Sequence, residues 1–378
     1  MAKQVYLDNN ATTPMDPKVF SVMEPYFIEK FGNASSRHLQ GWEAKEAVEK
    51  SRKIISAELK AKTREIIFTS GATESINLVI KGICQSKRIK GKHIITQVTE
   101  HNAVLDSCRA MAKDGFDITY LDVERDGRVD PKSVSNAIRN DTVLVAIMHA
   151  NNEIGVIQPI GEIGKICQQS NIAFLVDAAQ TFGKLPIIVN EMNINFLTGT
   201  AHKIYGPKGI GFLYISTRNR NDLIPQIHGG GQEGGLRSGT LPVPQIVGLG
   251  KAVELCSDNR DDDNSEQLKL RDILINKIIG SMPNTLINGS MDHRLPNNVN
   301  FTFPNTDGDR LLMNLNHIAV SSGSACSSAN LESSYVLRAL GHSDKVAKAS
   351  LRIGLGRFTN EEDIHFAAKE IIKAVRRS

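Results

Sequence analysis

The sequence lacks the long apolar runs and basic tracts that mark membrane and nucleic-acid-binding chains. No run approaches the ~20 apolar residues that a membrane helix needs. The N-terminal stretch MAKQVYLDNNATTP has no apolar signal core and no transit-peptide character. The net charge of +4 is spread along 378 residues, which disfavours nucleic acid as a direct partner. These absences predict a cytoplasmic protein that does not bind membranes.

Cysteines are also too few and too scattered for a disulfide framework. There are five, an odd number without a CxxC pair: Cys84, Cys108, Cys167, Cys256 and Cys326. Neither HExxH nor a Cys/His cluster occurs, so no metal site is predicted. The first four cysteines lie in helical or apolar-rich text, which is typical of small buried hydrophobic side chains.

Cys326 stands in a different setting. Its segment SSGSACSSA, residues 321–329, contains only small residues, so nothing there can pack a core or shield the thiol. The residues alone leave two interpretations open. Either the cysteine is incidental to a small-residue turn, or its thiol is meant to move and to be reached.

The glycine-rich stretch GGGQEGG, residues 229–235, is not part of a nucleotide-binding signature. No GxGxxG opens a helix after a strand, and no GxxxxGK[ST] occurs. We therefore exclude a nucleotide-binding function on this evidence.

Short apolar runs alternate with helical text through the first two thirds of the chain. Strands are predicted at residues 64–69, 92–97, 117–123, 142–149 and 172–179, and helices at 72–83, 103–114 and 160–170. Runs such as VLVAI are apolar throughout, as strands buried on both faces are. The pattern predicts an α/β fold with a mostly parallel sheet covered by helices.

The pattern changes after Cys256, which suggests a second domain. Residues 257–267 are polar and acidic, and we expect an exposed boundary or connecting turn there. A helix at 268–280, a half-exposed strand at 297–303 and a last helix with a Thr359-x-x-Glu362 capping box are predicted to follow. We expect a large domain of residues 14–256 and a smaller α+β domain of residues 1–13 and 257–378.

Several residues in the first part match the needs of pyridoxal 5'-phosphate (PLP). This cofactor needs a lysine that binds it covalently, a carboxylate facing its ring nitrogen and a helix start for its phosphate. Asp177 follows a buried strand, where ligands bind in parallel sheets, and Lys203 comes 26 positions later. SGATES, residues 70–75, joins a strand to a helix, and His101 follows a strand and could stack on the ring. Each of these signals is weak evidence for PLP binding when taken singly. Their occurrence together, in this order along one chain, is much stronger evidence.

On these motifs the sequence closely resembles the NifS/IscS type of cysteine desulfurase, in the class V branch of fold-type I PLP enzymes. The resemblance runs from YLDNNATTP (6–14) to LRIGLGRFT (351–359). It includes SGATESIN, TEHNAV, HANNEIGV, VDAAQ, AHKIYGPKGIG, LRSGTLPV and SSGSACSSA. It implies a large PLP-binding domain with a mostly parallel seven-stranded sheet, beside a smaller α+β domain.

The resemblance also implies roles for the cofactor-binding residues. Lys203 would bind PLP and shuttle a proton, Asp177 would pair with the pyridine nitrogen, and His101 would stack on the ring as acid and base. Gln180 would hydrogen-bond the ring oxygen. The rest of the cofactor, mainly its phosphate, would be held by Ala72, Thr73, Thr200 and His202.

Further roles concern the substrate and the neighbouring subunit. Arg352 would bind the substrate carboxylate, for which a guanidinium fork is well matched, and Asn152 would touch substrate and cofactor. Thr240 would reach the phosphate bound by the neighbouring subunit, which implies a homodimer. Gly234 stands where similar family members carry arginine, and we expect this difference to alter the dimer edge or the entrance to the site.

The implied reaction converts L-cysteine to L-alanine and transfers the sulfur to Cys326 as a persulfide. The thiolate is the attacking form, and the cysteine would lie on a mobile loop at about residues 321–333. An acceptor protein would then use the sulfur for iron–sulfur cluster, thiolated tRNA or cofactor synthesis. The alternatives are a selenocysteine lyase, a class V aminotransferase and, from another class, a catalytically idle binding protein.

Overall fold

The computed structural model describes residues 3–322 and 333–378. Its strands are β1 (Val5–Tyr6), β2 (Ile66–Thr69), β3 (His93–Gln97), β4 (Asp117–Leu121), β5 (Thr142–Met148), β6 (Ala173–Asp177), β7 (Phe196–Thr200), β8 (Gly211–Ile215), β9 (Leu286–Ile287), β10 (Asn298–Thr302), β11 (Ile318–Ala319) and β12 (Ser350–Gly354). Its α-helices are α1 (Pro17–Met23), α2 (Pro25–Ile28), α3 (Leu39–Glu58), α4 (Ala72–Cys84), α5 (Asn102–Lys113), α6 (Pro131–Ala137), α7 (Ile160–Gln169), α8 (Val243–Ser281), α9 (Gly308–Met313), α10 (Tyr335–Ala339), α11 (Asp344–Lys348) and α12 (Glu361–Arg377).

The largest sheet has seven strands in the order β2-β8-β7-β6-β5-β3-β4. Strand β8 is antiparallel to both of its neighbours, and the other adjacent pairs are parallel. The predicted α/β fold with a mostly parallel seven-stranded sheet is therefore confirmed. The predicted strands and helices of this part occur, with bounds that differ by a few residues.

Both faces of the central strands are buried in apolar side chains. Ile95, Val145 and Phe174 belong to one hydrophobic cluster, and their neighbours Ile94 and Leu144 belong to the cluster on the opposite face. This alternation follows from the two-residue period of a strand, which turns successive side chains to opposite faces. It explains why these strands are continuous apolar runs in the sequence.

A separate hydrophobic cluster surrounds the antiparallel sheet β12-β10-β9. Leu270 of α8, Phe301 of β10, Ile353 of β12 and Ile371 of α12 are fully buried in it, and Val5 of β1 joins them. Strand β1 pairs in parallel with β11. The first residues of the chain thus pack with the last hundred, as the predicted division into domains requires, but the bounds of that division remain a prediction.

The turn predicted at residues 257–267 is wrong, because α8 continues without a break from Val243 to Ser281. Most of the segment is exposed, as expected. It stays helical because no glycine or proline interrupts residues 251–279. Its charges are also paired, since Asp263 contacts Arg357 at 2.8 Å and Arg260 contacts Glu58.

Two smaller predictions in this part are also wrong. Strand β10 is buried along its whole length rather than half-exposed, because Asn298 and Asn300 donate to the carbonyl oxygen of Glu153. The last helix is capped by Asn360 and Asp363, one residue later than predicted. In β10, hydrogen bonds to buried partners thus replace the contact with solvent that the sequence pattern suggested.

Candidate active site

A cavity of about 540 Å³ opens at the carboxyl ends of the parallel strands. Predicted site residues from the seven-stranded sheet and its helices, and one from the antiparallel sheet, line this cavity. They are Ala72, Thr73, His101, Asn152, Asp177, Gln180, Thr200, His202, Lys203 and Arg352. Of the remaining predicted residues, Thr240 is exposed and does not line the cavity. Cys326 and most of its predicted mobile loop lie outside the described residues.

The sheet topology explains why distant residues meet here. Met148, at the end of β5, is in register with Asp177, at the end of β6, and Asp177 is in register with Thr198 of β7. Because parallel strands end at one edge of a sheet, the residues that follow them share a crevice. Lys203 is the last residue of the single helical turn, Ala201–Lys203, that follows β7.

Asp177 is the buried carboxylate of the cavity. Its Oδ1 accepts a hydrogen bond from the Ala179 amide at 2.9 Å, and its side chain is 6% exposed. Burial raises the pKa of Asp177, and the Ala179 bond and the charges of His101 and Lys203 oppose this effect. A protonated ring nitrogen against this carboxylate would favour its charged form further.

Lys203 points toward the N-terminal segment. Its Nζ donates to the carbonyl oxygens of Asn10 and, at 2.6 Å, Ala11. Two residues later Tyr205 adopts a left-handed conformation with φ of 63°. The Tyr205 amide donates to the Thr13 hydroxyl at 2.8 Å, so the turn that carries the lysine is tied to the same N-terminal segment.

His101 caps α5 and faces the cavity. Its Nδ1 accepts from the Ala103 amide at 3.1 Å. The proton of the neutral ring therefore resides on Nε2. This capping bond fixes the orientation of the imidazole, which a ring that stacks on a cofactor requires.

The start of α4 forms a cradle for an anion. Gly71 precedes it with φ of 155°, a conformation that favours glycine, and the first amides of a helix have no intrahelical acceptor. Thr73, His202 and the exposed Lys208 also line this end of the cavity. Burial, Lys203 and Lys208 lower the pKa of His202 to about 4, so without an anion its imidazole is neutral at pH 7.

Gln180 is held by Asn10, which the sequence analysis did not single out. The Gln180 Nε2 donates to the Asn10 carbonyl oxygen at 2.9 Å, and the Asn10 Nδ2 donates to Gln180 Oε1 at 3.1 Å. Asn298 donates to Asn10 Oδ1 from β10 at 3.1 Å. Asn10 lies in YLDNNATTP, which belongs to the resemblance. The chemistry of that motif alone gives no reason to assign Asn10 a role.

Arg352 and Asn152 also line the cavity. The Arg352 side chain is 1% exposed and donates to Asp8 Oδ1 at 2.8 Å and to the Asn152 carbonyl oxygen at 3.2 Å. The Arg352 Nε and the Asn152 Oδ1 are buried without a hydrogen-bond partner among the described residues. Buried polar atoms of this kind are usually satisfied by a ligand or water.

Two buried carboxyl groups near the site were also missed by the sequence analysis. Burial raises the pKa of Glu100 well above its usual value, although its Oε1 accepts from the Met148 amide at 2.6 Å. Burial raises the pKa of Glu153 to about 7, against the effects of its bond from Ser334 and the charges of Arg352 and His101. Both belong to stretches quoted for the resemblance, TEHNAV and HANNEIGV, but composition gives no sign of their burial.

Gly234 occupies a left-handed position with φ of 65°. A Cβ atom built there would lie 2.3 Å from Nη2 of Arg220, whose guanidinium donates to the Glu233 carbonyl oxygen at 3.3 Å. A larger residue at this position therefore requires Arg220 to move. Arg220 is the neighbour with which any side chain at this position would collide.

The other cysteines behave as predicted. Cys108, Cys167 and Cys256 are buried, and Cys84 is partly buried. Burial raises the pKa of the Cys84, Cys108 and Cys167 thiols to about 12, so they are not ionised near pH 7. In the described ranges, no three His, Cys, Asp or Glu side chains are grouped to hold a metal ion, and no helix has the length and apolarity to span a membrane.

This fold, with a cavity at the carboxyl ends of its parallel strands, fits a class V PLP-dependent enzyme. Residues 5–366 match the aminotransferase class-V family, and the chain belongs to that family, whose enzymes use PLP. Asp177, Lys203 and the α4 cradle supply the carboxylate, amine and anion site that this cofactor needs, so the residues present fit it.

Within that family the chain is similar to cysteine desulfurases. It is 52% identical over 371 residues, 98% of this chain and 91% of the relative, to the cysteine desulfurase IscS of Neisseria meningitidis. A solved NifS-like protein superposes with a TM-score of 0.91 at 36% identity, covering 99% of this chain and 100% of the other. A structure described as SspA in complex with cysteine gives 0.84 at 39% identity, covering 94% and 100%. The predicted resemblance to the NifS/IscS type is confirmed.

Proposed function

We propose that this protein converts L-cysteine to L-alanine and transfers the sulfur to its own Cys326. The observation that carries the proposal is that one cavity is lined by Lys203 and Asp177, which we call the cofactor wall, and by Arg352 and Asn152, which we call the substrate wall. One wall has the groups that bind PLP, and the other has a buried guanidinium suited to the carboxylate of an amino acid. The desulfurase relatives support cysteine as that amino acid.

The residues on the cofactor wall would bind PLP and move protons. Bound PLP supplies an electron sink that stabilises negative charge at the Cα of an amino acid. Lys203 would hold the cofactor covalently, and its Nζ, once released by the substrate amine, would move the Cα proton. Asp177 would keep the proton on the ring nitrogen, and His101 would cover the ring and exchange a proton through Nε2.

The residues on the substrate wall would orient the amino acid. The Arg352 guanidinium would bind the substrate carboxylate through N–H groups not used by Asp8 and Asn152. The Asn152 side chain would contact the substrate and the cofactor through its buried Oδ1. Holding the carboxylate in this way places the Cα proton near Lys203, which lines the same cavity.

The sulfur step requires a nucleophile, which we assign to Cys326. Its thiolate attacks the sulfur of the bound substrate, the carbon–sulfur bond breaks, and a sulfur–sulfur bond forms on Cys326. The carbon receives a proton, so cysteine and a protein thiol give alanine and a protein persulfide without an external oxidant. The buried cysteines are unsuited to this role, because burial keeps Cys84, Cys108 and Cys167 as thiols.

The finer assignments belong to the same proposal. We infer a cytoplasmic homodimer in which Thr240 reaches the phosphate bound by the neighbouring subunit, since this residue is exposed and outside its own cavity. The persulfide sulfur would pass to an acceptor protein for iron–sulfur cluster, thiolated tRNA or cofactor synthesis. Residues 1–13 and 257–378 would form a small domain, beside a large PLP-binding domain of residues 14–256.

The test is alanine production from L-cysteine in the presence of a thiol reductant. Wild type and Cys84→Ala are expected to form alanine, whereas Cys326→Ala is expected to lose nearly all turnover. Cys84→Ala is a suitable control because it also removes one thiol, which burial keeps un-ionised.

Other results would point to the alternative activities. A Cys326→Ala enzyme that makes alanine from L-cysteine at the wild-type rate would contradict the sulfur-carrier role. A yellow, PLP-loaded wild type that makes no alanine but transfers an amino group would be an aminotransferase. Much faster alanine formation from selenocysteine, with little from cysteine, would identify a selenocysteine lyase.

A further inference from the structure

Arg352, at the substrate wall, has a charged partner behind it that does not line the cavity. The Asp8 Oδ1 accepts from Arg352 Nη2 at 2.8 Å, although the two residues are 344 positions apart in sequence. Asp8 itself is absent from the cavity lining, whereas Arg352 is present. The ion pair therefore joins the start of the chain to a residue on β12.

Asp8 is itself held in place on several sides. Its Oδ2 accepts from the Ser321 hydroxyl at 2.9 Å, and its backbone forms a parallel bridge with Gly354, at the end of β12. Its carbonyl oxygen accepts from the Ala11 amide at 2.9 Å. The two backbone contacts hold Asp8 beside β12, so that its carboxylate can orient the guanidinium.

Arg352 needs such a partner because its charge is buried. The Arg352 side chain is 1% exposed, against 18% for Asp8, and an unpaired buried guanidinium is strongly disfavoured. The bonds to Asp8 and to the Asn152 carbonyl oxygen use two of its five N–H groups. The Nε is buried and has no partner among the described residues, so donors remain for a second carboxylate.

We propose that Asp8 is a positioning residue that orients Arg352 for the α-carboxylate of the substrate. Asp8 holds one edge of the guanidinium, and the substrate takes the donors that remain. This inference rests on the proposed function, because it assumes that Arg352 binds the substrate carboxylate. It adds a specificity role for a residue that touches neither substrate nor cofactor.

The test measures binding by the PLP-loaded enzyme, without turnover. L-Alanine and ethylamine differ only in the carboxylate, and each is titrated against the absorbance of the bound cofactor. In wild type, we expect L-alanine to bind far more tightly than ethylamine. Asp8→Asn keeps the shape of the side chain but removes its charge. It is expected to weaken the binding of L-alanine roughly tenfold and to leave the binding of ethylamine unchanged.

Three further variants separate positioning from a structural effect. Ser321→Ala removes the other contact of the Asp8 carboxylate, and it is expected to preserve the preference for L-alanine. Asp8→Glu keeps the charge and is expected to lose less of that preference than Asp8→Asn. Arg352→Gln is expected to abolish the preference, and adding Asp8→Asn to it should have no further effect.

The outcomes distinguish this inference from the proposed function. Asp8→Asn could weaken the binding of both ligands equally, or of neither, while Arg352→Gln abolishes the preference for L-alanine. In that case the positioning role of Asp8 is wrong and the role of Arg352 stands. Additive losses in the double variant would also overturn the positioning role. If Arg352→Gln leaves the preference intact, the carboxylate assignment of the proposed function is wrong, and the inference about Asp8 is wrong with it.

Discussion

The two walls of the cavity are built in different ways. The cofactor wall takes Asp177 and Lys203 from the ends of neighbouring strands β6 and β7. The substrate wall depends on Arg352 of β12 and on Asp8, which are joined by an ion pair across 344 positions. The first wall follows from the order of strands in one sheet, whereas the second needs the two ends of the chain to meet.

The N-terminal segment connects the two walls. Asp8 contacts Arg352, Asn10 contacts both Gln180 and Lys203, and Thr12 contacts His202. The difference is that the order of strands in the sheet places Asp177 and Lys203, which the N-terminal segment then contacts, whereas Arg352 depends on this segment for its charged partner. Variants of residues in each wall test this difference.

The largest effect is expected on the cofactor wall at Lys203. Lys203→Ala should reduce alanine formation by roughly 10³-fold or more, because the residue both holds the cofactor and moves a proton. The measurement is alanine production by cofactor-loaded protein. Lys165→Ala is the matched control, since Lys165 is exposed on α7 and does not line the cavity. Similar losses in both variants would contradict the assignment of Lys203.

Asp177 should have the next largest effect. Asp177→Asn leaves the shape of the side chain nearly unchanged but cannot balance a proton on the ring nitrogen, so kcat should fall on the order of 100-fold. Steady-state kinetics on the cofactor-loaded enzyme measure this loss. Asp130→Asn should be silent, because Asp130 caps α6 and asparagine caps helices equally well. An Asp177→Asn enzyme with normal kcat would mean that another group neutralises the ring.

Behind the substrate wall, Glu153 should affect stability in a pH-dependent way. Burial raises the pKa of Glu153 to about 7 from 4.5. The Glu153 carboxyl therefore loses its proton at a lower pH in the unfolded chain than in the native state. As the pH rises from 5 to 8, this difference lowers the free energy of unfolding by about 2–3 kcal/mol. Glu153→Gln cannot ionise and should lose less stability over this range than wild type.

Denaturant unfolding at pH 5 and pH 8 measures that difference. Glu162→Gln, at an exposed position of α7, should follow the wild type at both pH values. Parallel pH dependence in wild type and Glu153→Gln would show that Glu153 does not titrate in this window.

The smallest effect is expected where the N-terminal segment meets the phosphate end of the cavity. Thr12→Ala removes the hydroxyl that lies 3.2 Å from His202 Nδ1. The loss of one neutral hydrogen bond costs about 1 kcal/mol. It should therefore weaken the binding of PLP roughly fivefold. Equilibrium binding followed by cofactor absorbance measures it. Thr12→Ser retains the hydroxyl and should bind PLP like wild type, and equal weakening in the two variants would exclude the hydroxyl as the cause.

Much of the cofactor wall could be predicted from the sequence because its signals are local. The apolar run before Asp177 and the strand-to-helix junction at Gly71 are visible within a few residues. The predicted strands and helices around them occur in the structure. Local pattern fails at residues 257–267, where polar composition suggested a turn and the chain is helical. Polarity reports exposure, and an exposed helix is as polar as a loop.

The substrate wall could be predicted only in part. The resemblance supplied Arg352, and a guanidinium suits a carboxylate, but nothing near Arg352 indicates that Asp8 is its partner. Strand β10 was misjudged for the same reason, since its asparagines find buried partners such as Glu153 and Asn10. Hydrogen bonds between distant segments leave no periodic trace in either segment.

The sequence was enough to predict the α/β fold, the candidate groups for binding PLP and the setting of Cys326 among small residues. Periodicity and residue chemistry are sufficient there, because each depends on neighbours within one strand, turn or helix. Only the tertiary structure decided which carboxylate pairs with Arg352, which acids are buried and how Asn10 joins Gln180 to Lys203. Burial and pairing depend on the packing of segments that are far apart in the chain, and packing sets both the cost of a charge and the partner that offsets it.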